Sequence, residues 1–96
     1  VERGGYTYIM TNRPDGVLYV GVTSDIHRRM HQHRTGGGSQ FCRKYGVDTL
    51  VLVEHYPTIE EAIAREKQLK NWERRWKVEL IEASNPAWAD LSGFLN

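Results

Sequence analysis

The tetrapeptide Arg13-Pro14-Asp15-Gly16 constrains this chain more than any other feature. It separates two runs rich in strand formers, Tyr6–Thr11 and Val17–Val22. Proline presets the backbone for a turn, and Asp-Gly supplies the residues that complete one. Two strands joined by so short a link pair as an antiparallel hairpin. Alternation then puts Tyr6, Tyr8 and Met10 on one face of the first strand. In the second strand Tyr19 and Gly21 share a face, opposite Leu18, Val20 and Val22. Gly21 removes a side chain inside a strand, which permits close approach of a ligand or another backbone. On their own, the tyrosines read as cross-strand or core aromatic packing.

The rest of the chain supplies helices and one more strand. Ser24 or Asp25 can cap a helix to about Arg34, stopped by Gly36-Gly37-Gly38. A short helical turn is expected at Gln40–Lys44, closed by Gly46. Thr49–Tyr56 reads as the third strand, with Leu50, Val51, Leu52 and Val53 at its centre, and Pro57 ends it. Thr58 and Glu61 form a capping box for a helix through about Asn71 or Trp72. A further helix covers roughly Glu73–Ala83, broken by Asn85-Pro86. The expected order is ββα(α)βαα. That is an α+β layer fold: a small, mainly antiparallel three-stranded sheet flanked by helices. With 96 residues the chain has material for one domain, with a core over about residues 5–83 and a tail, 84–96, docking through Trp88, Leu91 and Phe94.

Composition excludes some classes. Apolar content of 40% and charged content of 26% are ordinary for a globular protein. The longest apolar run, Leu50–Val53, is far too short to span a bilayer. Val-Glu-Arg-Gly-Gly has no apolar segment of the kind a secretion signal needs. Cys42 stands alone, so no internal disulfide forms, and a cytoplasmic setting is the default expectation. The thiol reads as a half-buried structural cysteine. The net charge of +1 says little about partners. The distribution says more: Arg28, Arg29, Arg34, Arg43 and Lys44, with His27, His31 and His33, fall in a stretch free of acidic residues. Such a stretch is either a solvated helix face or a surface for a polyanion.

The informative anomaly is charge on apolar helix faces. Ile26, Arg29, Met30 and His33 share one face of the first helix, so Arg29 and His33 are carried inward. Ile59, Ala62, Ile63, Glu66, Leu69 and Lys70 form one stripe on the later helix, with Glu66 at its middle. A lone carboxylate drawn inward needs a cation, hydrogen bonds or a raised pKa. One reading is an ion pair of Glu66 with Arg29 or Lys70. The other is a cleft where the carboxylate holds a divalent cation and an arginine meets a phosphate.

Tyr6-Thr7-Tyr8, Leu18-Tyr19-Val20-Gly21-Val22-Thr23 and Asp25-Ile26-His27-Arg28-Arg29 resemble the GIY-YIG nuclease superfamily. Tyr19-Val20-Gly21 matches its second motif. Tyr8 matches the tyrosine of the first, where Tyr6 and Thr7 replace glycine and isoleucine. Arg65-Glu66-Lys67-Gln68-Leu69-Lys70-Asn71-Trp72 and Asn85-Pro86-Ala87-Trp88-Ala89-Asp90-Leu91 resemble the small, stand-alone bacterial subfamily known as UPF0213. The resemblance covers residues 5–91.

The resemblance implies a metal-dependent endonuclease that hydrolyses phosphodiester bonds, with one Mg²⁺ or Mn²⁺ ion on Glu66. Tyr8 and Tyr19 match the motif tyrosines, Arg29 the first-helix arginine, and His33 a position that is often His or Tyr. Asn85 matches a late asparagine of the family site. Tyr8 is the expected activator of water, and a nearby cation must then lower its pKa. Gly21, Thr23, Arg28, Arg34 and Lys70 are expected to contact the substrate. Nucleic acid is the expected partner, DNA rather than RNA. No zinc finger or helix-turn-helix pattern is visible, so cutting is expected to be structure-specific or weakly sequence-specific. The rival reading is a non-catalytic nucleic-acid binder with a degenerate nuclease site. A zinc site on His27 and His31 lacks the further ligands at recognisable spacing.

Overall fold

The first turn is closed by its own residues: Gly16 N–H donates to the Arg13 carbonyl at 2.9 Å and Val17 N–H to Asn12 Oδ1 at 2.9 Å. Arg74, far along the chain, clamps it by donating to the Asp15 and Gly16 carbonyls at 2.8 and 2.6 Å. The computed structural model describes residues 4–36 and 39–95. Two strands, β1 (Gly5–Thr11) and β2 (Leu18–Thr23), precede two helices, α1 (Ile26–Arg34) and α2 (Gln40–Tyr45). Strand β3 (Thr49–Tyr56) follows, then α3 (Ile59–Asn71), α4 (Arg74–Ser84) and a 3₁₀ turn at Leu91–Phe94. Gly37 and Gly38, two of the expected helix-stopping glycines, lie outside the described residues.

The sheet is antiparallel throughout, in the order β2-β1-β3. Along β1, Ile9 pairs with Leu52 and Met10 with Leu50, so Val51 is an extra residue on β3. Such a bulge bends the strand and takes one residue out of the ladder. Asn85 Nδ2 donates to the Val51 carbonyl at 3.2 Å and to the Ala89 carbonyl at 2.9 Å, tying the bulge to the tail.

Period-two alternation divides the core between the two faces. Tyr8, Met10 and Leu50 pack with Ile26 and Met30 of α1, Cys42 of α2 and Val47. Ile9, Val20, Val51 and Leu52 pack with Leu69 of α3, Ile81 of α4 and Trp88. Fully burying one such aliphatic side chain contributes about 1.5–3 kcal/mol, so each face has its own stabilising cluster. The tail contributes to both: Leu91 and Leu95 lie against the first cluster, and Trp88 belongs to the second; Phe94, expected to dock, is instead 80% exposed.

Helix α3 sits close on β1 for an identifiable reason. A Cβ on Gly5 would lie 2.8 Å from Ile59 Cδ1 and 2.9 Å from Ala62 Cβ, so only glycine admits the helix at this distance. One residue pair on, the buried Thr7 hydroxyl donates to the Ala62 carbonyl at 2.7 Å. The helix begins at its expected cap: Glu61 N–H donates to Thr58 Oγ1 at 3.2 Å, and the Thr58 hydroxyl donates to the Glu61 carboxylate at 3.0 Å.

Candidate active site

Tyr8 lies in the middle of β1 with no exposed surface. Its cross-strand partner is Gly21. A Cβ there would lie 2.5 Å from both Cζ and Oη of Tyr8, so the phenol occupies the space that glycine leaves. The approach expected at Gly21 is made by a side chain of the protein itself.

Around this phenol the inward face of α1 delivers its charges. Ile26 and Met30 are buried, and Arg29 and His33 are half-buried beside them. Arg29 Nη1 donates to Tyr8 Oη at 3.4 Å. The His33 ring meets Tyr8 edge-on at 6.3 Å and Tyr19 at 6.1 Å, and the two tyrosine rings are 6.4 Å apart. Tyr8, Tyr19, Arg29 and His33 thus converge, from two strands and one helix. Asp25 secures that helix: its side chain accepts from Arg28 N–H at 3.1 Å.

Burial and charge set the protonation states. Burial pushes the Tyr8 phenol up to about 12, outweighing the nearby Arg29 guanidinium that lowers it. The expectation that a neighbouring cation would bring Tyr8 down is met in position only. The cation is there, but desolvation of a fully buried phenolate is the larger effect. Burial and then Arg29 hold His33 below the usual imidazole range, so it is neutral at pH 7. Among the described residues neither ring nitrogen of His33 has a hydrogen-bond partner, although both are shielded from solvent. Cys42 is buried and its thiol is pushed up by burial, the opposite of nucleophile activation.

Glu66 comes from the other layer. Its side chain is 14% exposed, turned from bulk solvent as its helix stripe requires, and pairs with Lys70 Nζ at 2.7 Å. Of the two ion pairs the sequence leaves open, this is the one that forms. The two layers meet around β2, one of the two edge strands of the sheet. A groove of about 310 Å³ runs there, lined by Leu18, Tyr19, Val20, Phe41, Lys70 and Lys77.

The other expected residues are placed variously. The buried Thr23 hydroxyl donates to the Asp25 carbonyl at 3.2 Å and accepts from Asp25 N–H at 3.1 Å, holding the entry to α1. Arg28 and Arg34 are exposed, and Arg34 donates to Ser92 Oγ in the tail. Asn85 is buried, with its amide engaged by Val51 and Ala89, and Ala89 N–H donates back to its Oδ1 at 3.0 Å. The altered first-motif positions have structural work: Thr7 bonds α3, and the Tyr6 ring lies 4.8 Å from His55. Phe41, not among the expected site residues, stacks its ring on Tyr19 at 5.9 Å. An aromatic residue in the middle of a basic stretch was the available signal.

Among the described residues no three of His, Cys, Asp and Glu gather into a set that could hold a metal by themselves. A single shielded carboxylate is instead the donor set of a hard cation that keeps water and takes substrate oxygens as its remaining ligands. Glu66 is a carboxylate of that kind, here paired with Lys70.

Hairpin phenols, a helix guanidinium and a groove with two lysines thus lie on neighbouring elements of one small α+β domain. The chain belongs to the GIY-YIG family, a family of nucleases: the family model described as the GIY-YIG catalytic domain matches residues 4–79. A UPF0213 protein of Halalkalibacterium halodurans is 37% identical over 76 residues, covering 79% of this chain and 80% of the relative. A UPF0213 protein of Staphylococcus saprophyticus is 36% identical over 76 residues, covering 79% and 92%. The solution NMR structure of a UPF0213 protein from Bacillus halodurans superposes with a TM-score of 0.57 at 30% identity, covering 96% of this chain and 97% of that one. Among the described residues no helix is long and apolar enough to cross a membrane.

Proposed function

We propose that this chain is an endonuclease that hydrolyses phosphodiester bonds in DNA with one divalent cation, Mg²⁺ or Mn²⁺, and with structural or weak sequence preference. The observation that carries the reading is His33. Two buried ring nitrogens without partners cost about 1–3 kcal/mol each when left so, and such groups call for a ligand or a working role. A shift of the ring on substrate binding, admitting water or a phosphate oxygen to one nitrogen, would supply a missing partner.

A cation bound by Glu66 would supply Lewis-acid stabilisation of the leaving 3′ oxygen. Arg29 meets the phosphate with its planar fork and neutralises charge that grows in the transition state. Tyr8, enclosed and held neutral by burial, accepts from Arg29 and so positions the guanidinium that meets the phosphate. The proton of the attacking water passes to His33, which burial keeps neutral and so able to accept it. Tyr19 orients the water from the groove side. The products are 5′-phosphate and 3′-hydroxyl ends.

The pairing of Glu66 with Lys70 favours one other reading, a nucleic-acid binder that does not cut. A single experiment separates the two. Nicking of plasmid, branched and single-stranded DNA is followed with Mg²⁺ or Mn²⁺ for the wild type, Glu66→Ala, Arg29→Ala and His33→Ala. Cleavage by the wild type and losses of about 10²–10³-fold in Arg29→Ala support the proposal. Binding without cleavage by the wild type selects the binder. Cleavage that survives in both Glu66→Ala and Arg29→Ala removes this site.

A further inference from the structure

Helix α2 carries a line of aromatic rings that the chemistry above leaves unused. Phe41 stacks on Tyr19 with centroids 5.9 Å apart and planes 29° apart, and Tyr45 follows Phe41 at 4.9 Å. Phe41 is 40% and Tyr45 43% exposed, so neither is there to fill the core. The helix holds Arg43 and Lys44 and no acidic residue, and Lys44 Nζ lies 5.3 Å from the Tyr45 ring centroid. Across β2, Lys70 and Lys77 line the groove that Phe41 and Tyr19 share.

Rings half in water beside cations, continuous with a site that handles phosphate, match the two needs of an unpaired nucleotide strand. Its bases have free π-faces to stack, and its backbone has negative charge to neutralise. A duplex keeps those faces inside its own stack. We propose that Phe41 and Tyr45 are a stacking platform for unpaired bases next to the scissile phosphate. The proposal rests on the endonuclease reading and assigns its substrate class: nucleic acid with a single-stranded segment at the cut. Tyr19 joins the platform to the chemistry, since its ring touches both Phe41 and His33.

The test measures binding by fluorescence anisotropy in EDTA, with three probes: a short oligothymidylate, an abasic strand of equal length and a duplex of equal length. The wild type binds oligothymidylate at least about tenfold more tightly than the abasic strand. Phe41→Leu and Tyr45→Leu keep apolar bulk at exposed positions but lose the π-face. Each binds oligothymidylate about tenfold more weakly, binds the abasic strand as before, and keeps the wild-type salt dependence because no phosphate contact is lost. Phe41→Trp retains wild-type binding. Equal affinity of the wild type for oligothymidylate and the abasic strand overturns the platform, as do leucine variants that bind like the wild type. Cleavage assays keep the two proposals apart. A chain that prefers bases but never cuts retains the platform and loses the endonuclease. A chain that cuts, with the single-strand preference unchanged in Phe41→Leu, retains the endonuclease and loses the platform.

Discussion

Adding one methyl group at Gly21 perturbs the centre of the candidate site. The new Cβ would sit 2.5 Å from Cζ and Oη of Tyr8 and 2.9 Å from its Cε1. A normal carbon contact needs about 3.5–4.0 Å, so the ring must retreat by about 1 Å. It has little room to do so, because Tyr8 is wholly buried among Met10, Ile26 and Met30. Overpacking of this kind costs about 1–3 kcal/mol, which lowers the melting temperature of so small a domain by roughly 5–20 °C. The catalytic effect is larger. The Arg29–Tyr8 contact is already 3.4 Å long, and a displacement of about 1 Å near reacting atoms can cost about 10²-fold in rate. Gly21→Ala is therefore expected to melt earlier by circular dichroism and to cut a labelled oligonucleotide about 100-fold more slowly in single-turnover assays well below its melting temperature. Tyr8→Phe removes one of the colliding atoms, so the stability cost of Gly21→Ala should shrink in that background. A Gly21→Ala protein with wild-type melting and rate would refute the close packing of this phenol over the glycine.

The remaining predictions concern charge and the tail. Between about pH 10, where an ordinary tyrosine ionises, and about 12, where Tyr8 does, the folded chain keeps a proton that the unfolded chain gives up. Stability therefore falls as pH rises through that window, by about 3 kcal/mol at most from this group; denaturant titrations should show the fall reduced in Tyr8→Phe, and an identical fall in both proteins speaks against burial as the cause. Lys70 is 55% exposed, so its pairing with Glu66 is weak, and Lys70→Met should tighten Mn²⁺ binding without nucleic acid by no more than about fivefold. Weaker Mn²⁺ binding in that variant would argue that the ion does not compete for Glu66. Asn85→Ala should lose about 2–4 kcal/mol of stability with its three hydrogen bonds, while the rate per folded molecule holds; lost activity at unchanged stability would return Asn85 to the chemistry.

Local signals made most of the fold legible. Thr49–Tyr56 is β-branched and aliphatic, bounded by a proline, and forms β3 with those limits. The Thr58–Glu61 pair marks the start of α3 because capping is a property of four adjacent residues. The helix stripe of Ile26, Arg29, Met30 and His33 was legible for the same reason, and it carries both polar residues to Tyr8. What stayed hidden depends on distant parts. The bulge at Val51 needs the partner strand and Asn85 to define it. The choice of Lys70 over Arg29 as the neighbour of Glu66 follows from α1 and α3 lying on opposite faces, which no helix pattern states. The direction of the Tyr8 shift turns on how completely it is buried, and a sequence names its neighbours without weighing them.

Strand β2 lies at one edge of the sheet, and the groove runs beside it. A rim of unpaired backbone groups invites a second chain to add its own strand. Closing it with another strand or a helix would also shut out any polymer that wraps from the Tyr19 side to the Lys70 side. On the endonuclease reading, lysines at that margin would act in two ways, attracting a polyanion and repelling a second copy of the same positive margin. Neutralising Lys70 and Lys77 together is then expected to favour self-association of the strand and to weaken nucleic-acid binding at once.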